Sequence, residues 1–388
     1  MSEFKKILVI GAGIAGPTIC YWLKKFGFSP TLIEKSDVLR QGGQGVDIRG
    51  AAVGLVKKMG IYEQICKMRT QVEYGRQVDV MGKILHEEKA EKFGYRQDED
   101  IEILRGNLVE ILMKQIEQVP CHFNQSIDNI EKNDGGDVTV SFKDGRIEHY
   151  DLVIGADGVR SSIRRMVFDK DEYELVNLWA CISIFSIPNY LHLSHTEVQC
   201  ESSQKAIFIS SDKDPKIAQV GLMFRPQHDL TYLRDENKQK QVLRDTFHNF
   251  GWEADKILEL MSDSNDFYFD SFTQVKMHSW TKGRVALVGD AGYCPSPFSG
   301  QGSNLALIGA YILAGELKAA EGNYKHAFHR YNELLRSFVE ANQQFGVWVR
   351  KSFLVSDELS EEAAEKRSNE ILQKTQIVSN AITLPEYE

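Results

Sequence analysis

The order of apolar and polar positions near the start of the chain predicts a β-α-β unit. Apolar residues run almost unbroken from Ile7 to Leu23, and three glycines and Pro17 interrupt that run. The β-branched part, 7–10, predicts a buried parallel strand, and a helix and a second strand that ends at Glu34 follow it. A signal peptide or membrane segment is the alternative interpretation. A membrane span needs about 18 or more apolar residues, and the interruptions and the lysines after Leu23 disfavour it.

Three glycines with G-x-G-x-x-G spacing lie where the first predicted strand meets the helix. Gly11 permits the tight turn, Gly13 lets the backbone approach a pyrophosphate, and Gly16 lets the helix lie close to the strand. The N-terminus of the helix then offers free N–H groups to the phosphates. Glu34 is placed to accept a hydrogen bond from a ribose hydroxyl. The pattern therefore predicts a dinucleotide site.

Two later stretches predict further parts of such a site. Residues 102–116 have apolar positions on one helical face, and Arg105 lies at the start of that helix. A cation there opposes the helix dipole, which suggests a nearby anion, although a solvated surface arginine is the alternative. Residues 150–165 predict a strand, the turn Asp157–Gly158 and a helix. Ligands of doubly wound sheets bind at such strand ends, but an ordinary turn has the same appearance.

The stretch 283–317 predicts another strand, turn and helix. Gly289–Asp290 follows the strand, and Pro297-x-x-Gly300-x-Gly302 precedes a helix rich in alanine and glycine. Asp290 is placed to accept a hydrogen bond from a ribityl hydroxyl. The amides after Pro297 can stabilise the negative charge of a reduced flavin.

Residues 172–275 predict the strands of a mixed or antiparallel sheet. Four of its side chains are candidates to line a substrate site, with core packing as the alternative for each: Trp179, Phe185, Met223 and Phe224. Residues 325–353 predict one long amphipathic helix, and another helix extends to about residue 380. These helices either brace the domains or bring Phe345 and Trp348 to a substrate entrance that the last helix gates.

Composition narrows the function without identifying it. The chain of 388 residues is 42% apolar and 26% charged, as in ordinary globular proteins, and its net charge of −9 disfavours a nucleic-acid partner. The six cysteines form no CxxC pair, and the histidines have no metal-type spacing. Neither a metal site nor a disulfide framework is predicted, and a reducing cytoplasm is expected. Because no coiled-coil pattern is present, we expect a monomer.

These motifs, in this order, resemble those of the single-component FAD-dependent aromatic hydroxylases. Among these the chain is most similar to the tetracycline-inactivating flavin monooxygenases, in GDAGYCPSPFSGQGSNLALIGA at 289–310 and RQGGQGVDIRG at 40–50. The resemblance implies an α/β fold class, with a Rossmann-like FAD-binding domain of the GR2 type, a mixed or antiparallel β-sheet substrate domain and C-terminal helices. The implied domains are 1–171 with 276–322 (including part of the substrate lobe near 60–105), 172–275, and 323–388.

The resemblance also implies which residues contact the cofactors. FAD would be bound tightly but not covalently, and Arg40 and the Asp157–Gly158 turn would also serve NADPH. The implied cofactor-binding residues are Gly11, Gly13, Ala15, Gly16, Glu34, Lys35, Arg40, Asp47, Arg105, Asp157, Gly158, Asp290, Pro297, Gly300 and Gly302. Phe298, on the flavin-edge loop, joins the candidate substrate contacts.

The implied chemistry is hydroxylation of an electron-rich polycyclic phenol, with tetracycline antibiotics as substrates. NADPH would dock transiently and reduce the flavin, O2 would be trapped as a C4a-hydroperoxide, and neither a catalytic side chain nor a metal would be required. A simpler phenol or alkylquinolone is an alternative substrate. A non-catalytic FAD-fold protein that binds other proteins is the alternative class. No nucleic-acid or membrane partner is expected.

Overall fold

The computed structural model describes the chain over residues 6–39, 43–132, 136–202, 204–212, 214–352 and 361–387. The strands, numbered in chain order, are β1 (Lys6–Ile10), β2 (Ser29–Ile33), β3 (Gly45–Ile48), β4 (Tyr74–Val78), β5 (Ile84–Lys89), β6 (Ile101–Leu104), β7 (Cys121–His122), β8 (Ile127–Lys132), β9 (Val138–Phe142), β10 (Ile147–Tyr150), β11 (Leu152–Gly155), β12 (Tyr173–Pro188), β13 (Thr196–Ser202), β14 (Lys205–Ser211), β15 (Ile217–Phe224), β16 (Tyr268–Met277), β17 (Thr281–Lys282) and β18 (Val285–Leu287).

The helices connect the strands and extend the chain at its C-terminal end. They are α1 (Ala15–Lys25), α2 (Ala51–Lys58), α3 (Tyr62–Met68), α4 (Ala90–Phe93), α5 (Arg105–Lys114), α6 (Ser162–Val167), α7 (Glu236–Phe247), α8 (Ala254–Leu260), α9 (Asp290–Tyr293), α10 (Gly302–Ala319), α11 (Tyr324–Ser352) and α12 (Glu361–Ser379). Short 3₁₀ turns occur at Met261–Asp263 and Pro297–Ser299. None of the helices within the described ranges is long and apolar enough to cross a membrane.

A six-stranded sheet in the order β17-β18-β11-β1-β2-β7 carries the glycine motif. Its strands pair in parallel except for β17, which pairs antiparallel with β18. All four residues of β11 are buried, as expected of a strand covered on both faces. Because β1, β11 and β18 are parallel neighbours, the turns that follow them meet at one edge of the sheet. The α/β fold class predicted from the motifs is confirmed.

The stretch 102–116 is helical only in its second part. Residues 101–104 form β6, which pairs antiparallel with β3, and α5 begins at Arg105. The strand residues Ile101 and Ile103 are buried and alternate with partly exposed neighbours. The alternation of a strand ends and the periodicity of a helix begins at this point. The prediction of one helix over 102–116 is therefore wrong for residues 102–104. Arg105 is therefore the first residue of its helix.

A seven-stranded sheet in the order β16-β12-β15-β14-β13-β4-β5 forms the second layer. Its pairs are antiparallel except for β13 with β4. The region 172–275 supplies most of the sheet. Strands β4 and β5, which come before the Asp157–Gly158 turn in the chain, extend the sheet at one edge. The predicted domain limits stay predictions, although β12 begins at Tyr173 and β16 ends at Met277.

Different elements cover the two faces of this large sheet. On one face α7 and α8 bury an apolar core that includes Phe185, Phe224 and Phe247. On the other face, residues of α11 and α12 pack against the sheet together with Phe298. The second face is therefore the one that lies next to the Pro297–Gly302 loop.

The residues after α12 pack against the second half of α10. The Tyr387 hydroxyl donates to Oε1 of Glu316 at 2.6 Å, and the Tyr311 hydroxyl donates to the carbonyl oxygen of Pro385 at 2.8 Å. Removing the chain end would thus remove core contacts as well as α12.

Candidate cofactor and substrate site

The glycine loop between β1 and α1 is packed so closely that two of its glycines have no room for a side chain. Gly11 has a φ of +107°, and a Cβ atom there would lie 2.5 Å from the carbonyl oxygen of Ala156. A Cβ atom on Gly16 would overlap the carbonyl oxygen of Gly11. The loop is therefore held against the turn that follows β11, with the N-terminus of α1 at the ligand-binding edge of the sheet.

Glu34 lies directly against the glycine loop. One of its carboxylate oxygens accepts a hydrogen bond from the Ala12 N–H at 2.8 Å, and the other accepts one from the Ser36 N–H at 3.0 Å. The carboxylate is thereby fixed where the ribose beside a bound pyrophosphate would lie. Lys35, the next residue, is exposed.

Arg105, at the start of α5, brings positive charge to the glycine loop. Its Nη2 atom would lie 3.3 Å from a Cβ atom on Gly13, and its backbone N–H donates to the carbonyl oxygen of Gln44 at 2.9 Å. A guanidinium group at a helix start is unfavourable toward the helix dipole but favourable toward an anion held beside the helix. The arrangement suits a pyrophosphate between α1 and α5.

The turn after β18 brings the third motif into contact with the first. Gly289 has a φ of +65°, and a Cβ atom there would lie 3.0 Å from Cβ of Ala15 and 3.5 Å from Cβ of Ala306. The starts of α1 and α10 therefore approach each other across this glycine. Side chains at these positions are small because the backbones come so close.

Asp290 places a carboxylate at the centre of this convergence. Burial raises the pKa of its carboxyl group, and the Cys294 hydrogen bond and the charge of Arg105 oppose that rise. A Cβ atom on Gly302 would lie 3.8 Å from Oδ1 of Asp290. The carboxylate thus lies beside the amides at the start of α10, where a ribityl hydroxyl could donate to it.

Asp157 stabilises the start of a helix. Its Oδ1 atom accepts from the Ser161 hydroxyl at 2.5 Å, and its Oδ2 atom accepts from the Ser162 N–H at 2.6 Å and the Ile163 N–H at 3.3 Å. Both carboxylate oxygens are therefore engaged by α6. Asp157 shapes the turn in which Gly158 has a φ of +80°, and any contact with a cofactor would be made in addition to these bonds.

The Pro297–Gly302 loop contains a buried hydrogen-bond donor for which the described residues supply no acceptor. Gln301 is fully buried, and its Oε1 atom accepts from Nδ2 of Asn304 at 2.7 Å, but its Nε2 atom has no partner among the residues that the structure describes. Leaving such a group unsatisfied costs about 1–3 kcal/mol, which a ligand acceptor would relieve. Gly300 has a φ of +62° and open space around it. The loop therefore fits the acceptor-rich edge of a flavin ring, and the glycine-lined cleft fits FAD.

Asp47 belongs to a group of charged residues whose proximity is not predicted by the sequence. We call this group the seam cluster: Asp47, Arg49, Arg96, Glu102 and Glu197. Asp47 pairs with Arg49 at 2.5 Å and with Arg96 at 3.4 Å, and Arg96 pairs with Glu102 at 3.0 Å. The cluster joins β3 and β6 to β13 of the large sheet.

The seam cluster has three carboxyl groups for two guanidinium groups. Burial, followed by the charge of Glu102, raises the pKa of Glu197 to about 7, while Arg96 opposes the rise. Arg49 lies in the segment 40–50, which resembles an FAD-binding segment, so a position near the cofactor could have been inferred for it from the sequence. Glu197 lies in a strand with no motif, and no sequence pattern marks it. Arg40 lies outside the described residues.

The predicted substrate residues that do lie together form an apolar group beside the Pro297–Gly302 loop. We call it the Phe298 cluster: Leu178, Ala180, Ala206, Met223, Phe272, Phe298, Phe345, Val349, Ile371 and Val378. The rings of Phe298 and Phe272 meet edge to face with 4.5 Å between centroids, and Phe345 stacks on Trp348 at 6.1 Å. The cluster connects the loop to the two C-terminal helices.

Three of the predicted substrate residues lie elsewhere. Phe185 and Phe224 are buried on the opposite face of the large sheet under α7 and α8, so they are core residues and do not line this surface. Trp179 is 42% exposed at a bulge in β12. The four strand residues proposed as a common lining therefore do not share one surface.

Comparison with known proteins confirms the resemblance found in the motifs. The family described as FAD binding domain matches residues 5–345. A flavin-dependent monooxygenase of Legionella longbeachae serogroup 1 (strain NSW150) is 65% identical over 388 residues, which is 100% of both chains. The solved structure of tetracycline destructase Tet(51) has 67% identity and a TM-score of 0.92, covering 99% of this chain and 100% of that one. The structure of tetracycline destructase Tet(55) has 55% identity and a TM-score of 0.93 and covers 100% of both.

Proposed function

Since this chain belongs to the FAD binding domain family and is a flavin-dependent monooxygenase, we propose that it uses NADPH and O2 to hydroxylate tetracycline-type polycyclic phenols. The observation that carries the proposal is the high identity to two tetracycline destructases over the whole chain, C-terminal helices included. Such a reaction would inactivate the antibiotic.

The residues of the cleft would hold FAD, which supplies the redox chemistry when bound: it takes a hydride from NADPH and activates O2, of which one atom enters the substrate and the other leaves as water. The glycine loop and Arg105 would bind the pyrophosphate, and Glu34 the adenosine ribose. Asp290 would accept from the ribityl chain, and the Nε2 atom of Gln301 would donate to the ring system.

The Phe298 cluster would position the substrate and exclude water from the reacting atoms. Phe298 lies on the loop beside the predicted flavin edge, and α12 contributes Ile371 and Val378 to the same apolar surface. Lys374 of α12 lies over the ring of Trp348, 5.0 Å from its centroid. We propose that α12 covers the entrance and opens to admit a large flat substrate.

A cytoplasmic monomer is the proposed setting. All six cysteines are free thiols, which suits a reducing compartment. Equilibrium sedimentation of the purified protein, loaded with FAD, tests the monomer.

The test of the proposed function is turnover with a panel of substrates. Purified protein should be yellow or take up FAD. NADPH oxidation should be stimulated by a tetracycline, and the product should gain the mass of one oxygen atom. Stimulation by a simple phenol or an alkylquinolone alone would replace tetracycline as the substrate. Colourless protein that takes up no FAD would remove the enzymatic proposal and favour the binding-protein class.

A further inference from the structure

A strained and exposed tryptophan interrupts the longest strand of the large sheet. Trp179 has a φ of +56°, which bulky side chains rarely adopt, and it is 42% exposed, whereas Leu178 and Ala180 on either side are buried. The register of β12 with β16 shifts between Asn177 and Cys181, so a bulge turns the indole outward. Bulges that redirect a side chain, and strained backbone of this kind, are concentrated at functional sites.

Hydrogen bonds fix this bulge to the loop that follows β15. The Asn177 Oδ1 atom accepts from the Trp179 N–H at 2.7 Å, and its Nδ2 atom donates to Oδ1 of Asp229 at 2.8 Å and to Oγ1 of Thr231 at 3.1 Å. Asp229 also accepts from the Thr231 N–H at 2.9 Å. The same loop carries Tyr232, which is 73% exposed. Two aromatic rings are thus presented to solvent from one hydrogen-bonded unit.

Two arginines accompany these rings. Arg234 donates to the carbonyl oxygens of Thr231 at 2.8 Å and Leu233 at 2.9 Å, and within the described part of the chain it pairs with no carboxylate. Partial desolvation, followed by the charge of Arg160, lowers the pKa of Arg234, and the charge of Asp270 opposes this change. The two guanidinium groups therefore lie in one electrostatic environment, in which a further anion such as a phosphate would be stabilised.

Arg160 connects this surface to the cofactor cleft. It follows the Asp157–Gly158 turn, forms an ion pair with Asp270 of β16, and its Nη2 atom donates to Oγ of Ser271 at 3.3 Å. A Cβ atom on Gly11 would lie 3.0 Å from Cα of Asp157, so the turn that precedes Arg160 contacts the glycine loop of the cleft. The surface therefore begins at the edge of the predicted FAD site and continues outward.

We propose that Trp179, Tyr232, Arg160 and Arg234 form the docking surface for the adenosine 2′-phosphate end of NADPH. This inference rests on the proposed function, because it assigns the reductant of that reaction. Exposed aromatic rings stack on a purine base, and guanidinium groups bind a phosphate through charge-assisted hydrogen bonds. The chain has no second G-x-G-x-x-G motif, so a surface of side chains suits a nucleotide that docks for one hydride transfer. The acidic neighbours Asp229 and Asp270 are already paired within the surface.

The first test measures the FAD-loaded, full-length enzyme with 2′,5′-ADP as the probe. We expect Arg234→Gln to raise the KM for NADPH and the inhibition constant of 2′,5′-ADP about tenfold, the loss expected for one charge-assisted contact. The KM for NADH and the affinity for FAD should stay unchanged. The matched control is Arg76→Gln, which removes a half-buried arginine of β4 that pairs with Glu87 near the opposite edge of the same sheet.

The second test follows tryptophan fluorescence. We expect 2′,5′-ADP to quench the wild-type emission more strongly than 5′-AMP does, and Trp179→Phe to lose most of that quenching. Unchanged KM values in Arg234→Gln together with unchanged quenching in Trp179→Phe would overturn the site. A protein that binds FAD but consumes no NADPH would overturn the proposed function alone, since quenching by 2′,5′-ADP that depends on Trp179 would still support the surface.

Discussion

The glycine-lined corner and the Phe298 cluster make opposite uses of side chains. In the corner, backbone approaches backbone, and a Cβ atom on Gly11 or Gly289 would come within 3.0 Å of a neighbouring atom. In the cluster, side chains make the contacts, as where the rings of Phe298 and Phe272 meet. The corner requires residues without side chains at fixed positions, whereas the cluster requires apolar side chains that together fill a given volume.

This difference determines how each region tolerates change. A cluster of apolar side chains accepts substitutions that conserve volume, because neighbouring side chains adjust. A backbone contact has no such freedom, because neither partner can move without displacing its strand or helix. We therefore expect the largest effects in the corner, smaller ones in the Phe298 cluster, and the smallest in the seam cluster, which lies outside both regions.

The largest effect is expected from Gly16→Ala. Its methyl group would overlap the carbonyl oxygen of Gly11, so the loop must move away from the phosphate position. We expect about hundredfold weaker FAD binding, or about 3 kcal/mol, and destabilisation by about 1–3 kcal/mol. Fluorescence titration with FAD and thermal unfolding measure the two effects.

The matched control for that variant is Gly54→Ala. Gly54 is an exposed glycine in α2 with no atom within 4 Å of a Cβ atom there. Alanine favours the helix by about 1 kcal/mol, so this variant should be as stable as the wild type or more stable. Gly16→Ala protein that binds FAD as tightly as Gly54→Ala protein would show that the loop is not the phosphate site.

A smaller effect is expected from Ile371→Ala in α12. Ile371 is 3% exposed in the Phe298 cluster, whereas Ile377 on the same helix is 68% exposed, so Ile377→Ala is the control. If α12 opens as a gate, the lost packing appears as local opening, with about tenfold faster proteolysis of α12 and a changed KM for the polycyclic substrate. A lower Tm of the whole protein with unchanged cleavage of α12 would instead make the helix a fixed brace.

The same contrast explains which features could be predicted from the sequence. The strand, turn and helix units around Gly11, Asp157 and Asp290 were recognisable, because their glycines and acids follow local spacing rules that backbone contacts impose. The helix start at Arg105 is confirmed, but the assignment of residues 102–104 to that helix is wrong, because the alternation of β6 leads directly into the periodicity of α5. The predicted substrate face was harder still. Met223 and Phe224 are adjacent in one strand, so they point to opposite faces and only one of them could line the site.

Other features depend on contacts between distant parts of the chain. Which face of the large sheet α7 and α8 cover decides that Phe224 is a core residue, and no local pattern contains that information. The seam cluster joins Asp47 of the β3–β6 pair to Glu197 of the large sheet. The outward position of Trp179 arises from a one-strand bulge in a sequence that otherwise predicts a regular strand.

The smallest effect is expected at the seam cluster, where pH should alter the contact between the β3–β6 pair and the large sheet. The pKa of Glu197 is raised from 4.5 to about 7, so the folded protein holds a proton that the unfolded chain has released. The contribution of Glu197 to stability is therefore greatest below pH 4.5, declines as the pH rises to about 7, and is constant above that.

Glu197→Gln keeps a neutral side chain of the same shape. It should match the wild type near pH 5, lose this decline, and have a Tm a few degrees higher at pH 8. Glu110→Gln, which removes an exposed carboxylate of α5, should keep the wild-type profile. Parallel profiles for Glu197→Gln and wild type across this range would mean that the carboxylate is ionised throughout, and that the two arginines of the cluster suffice to balance all three acids.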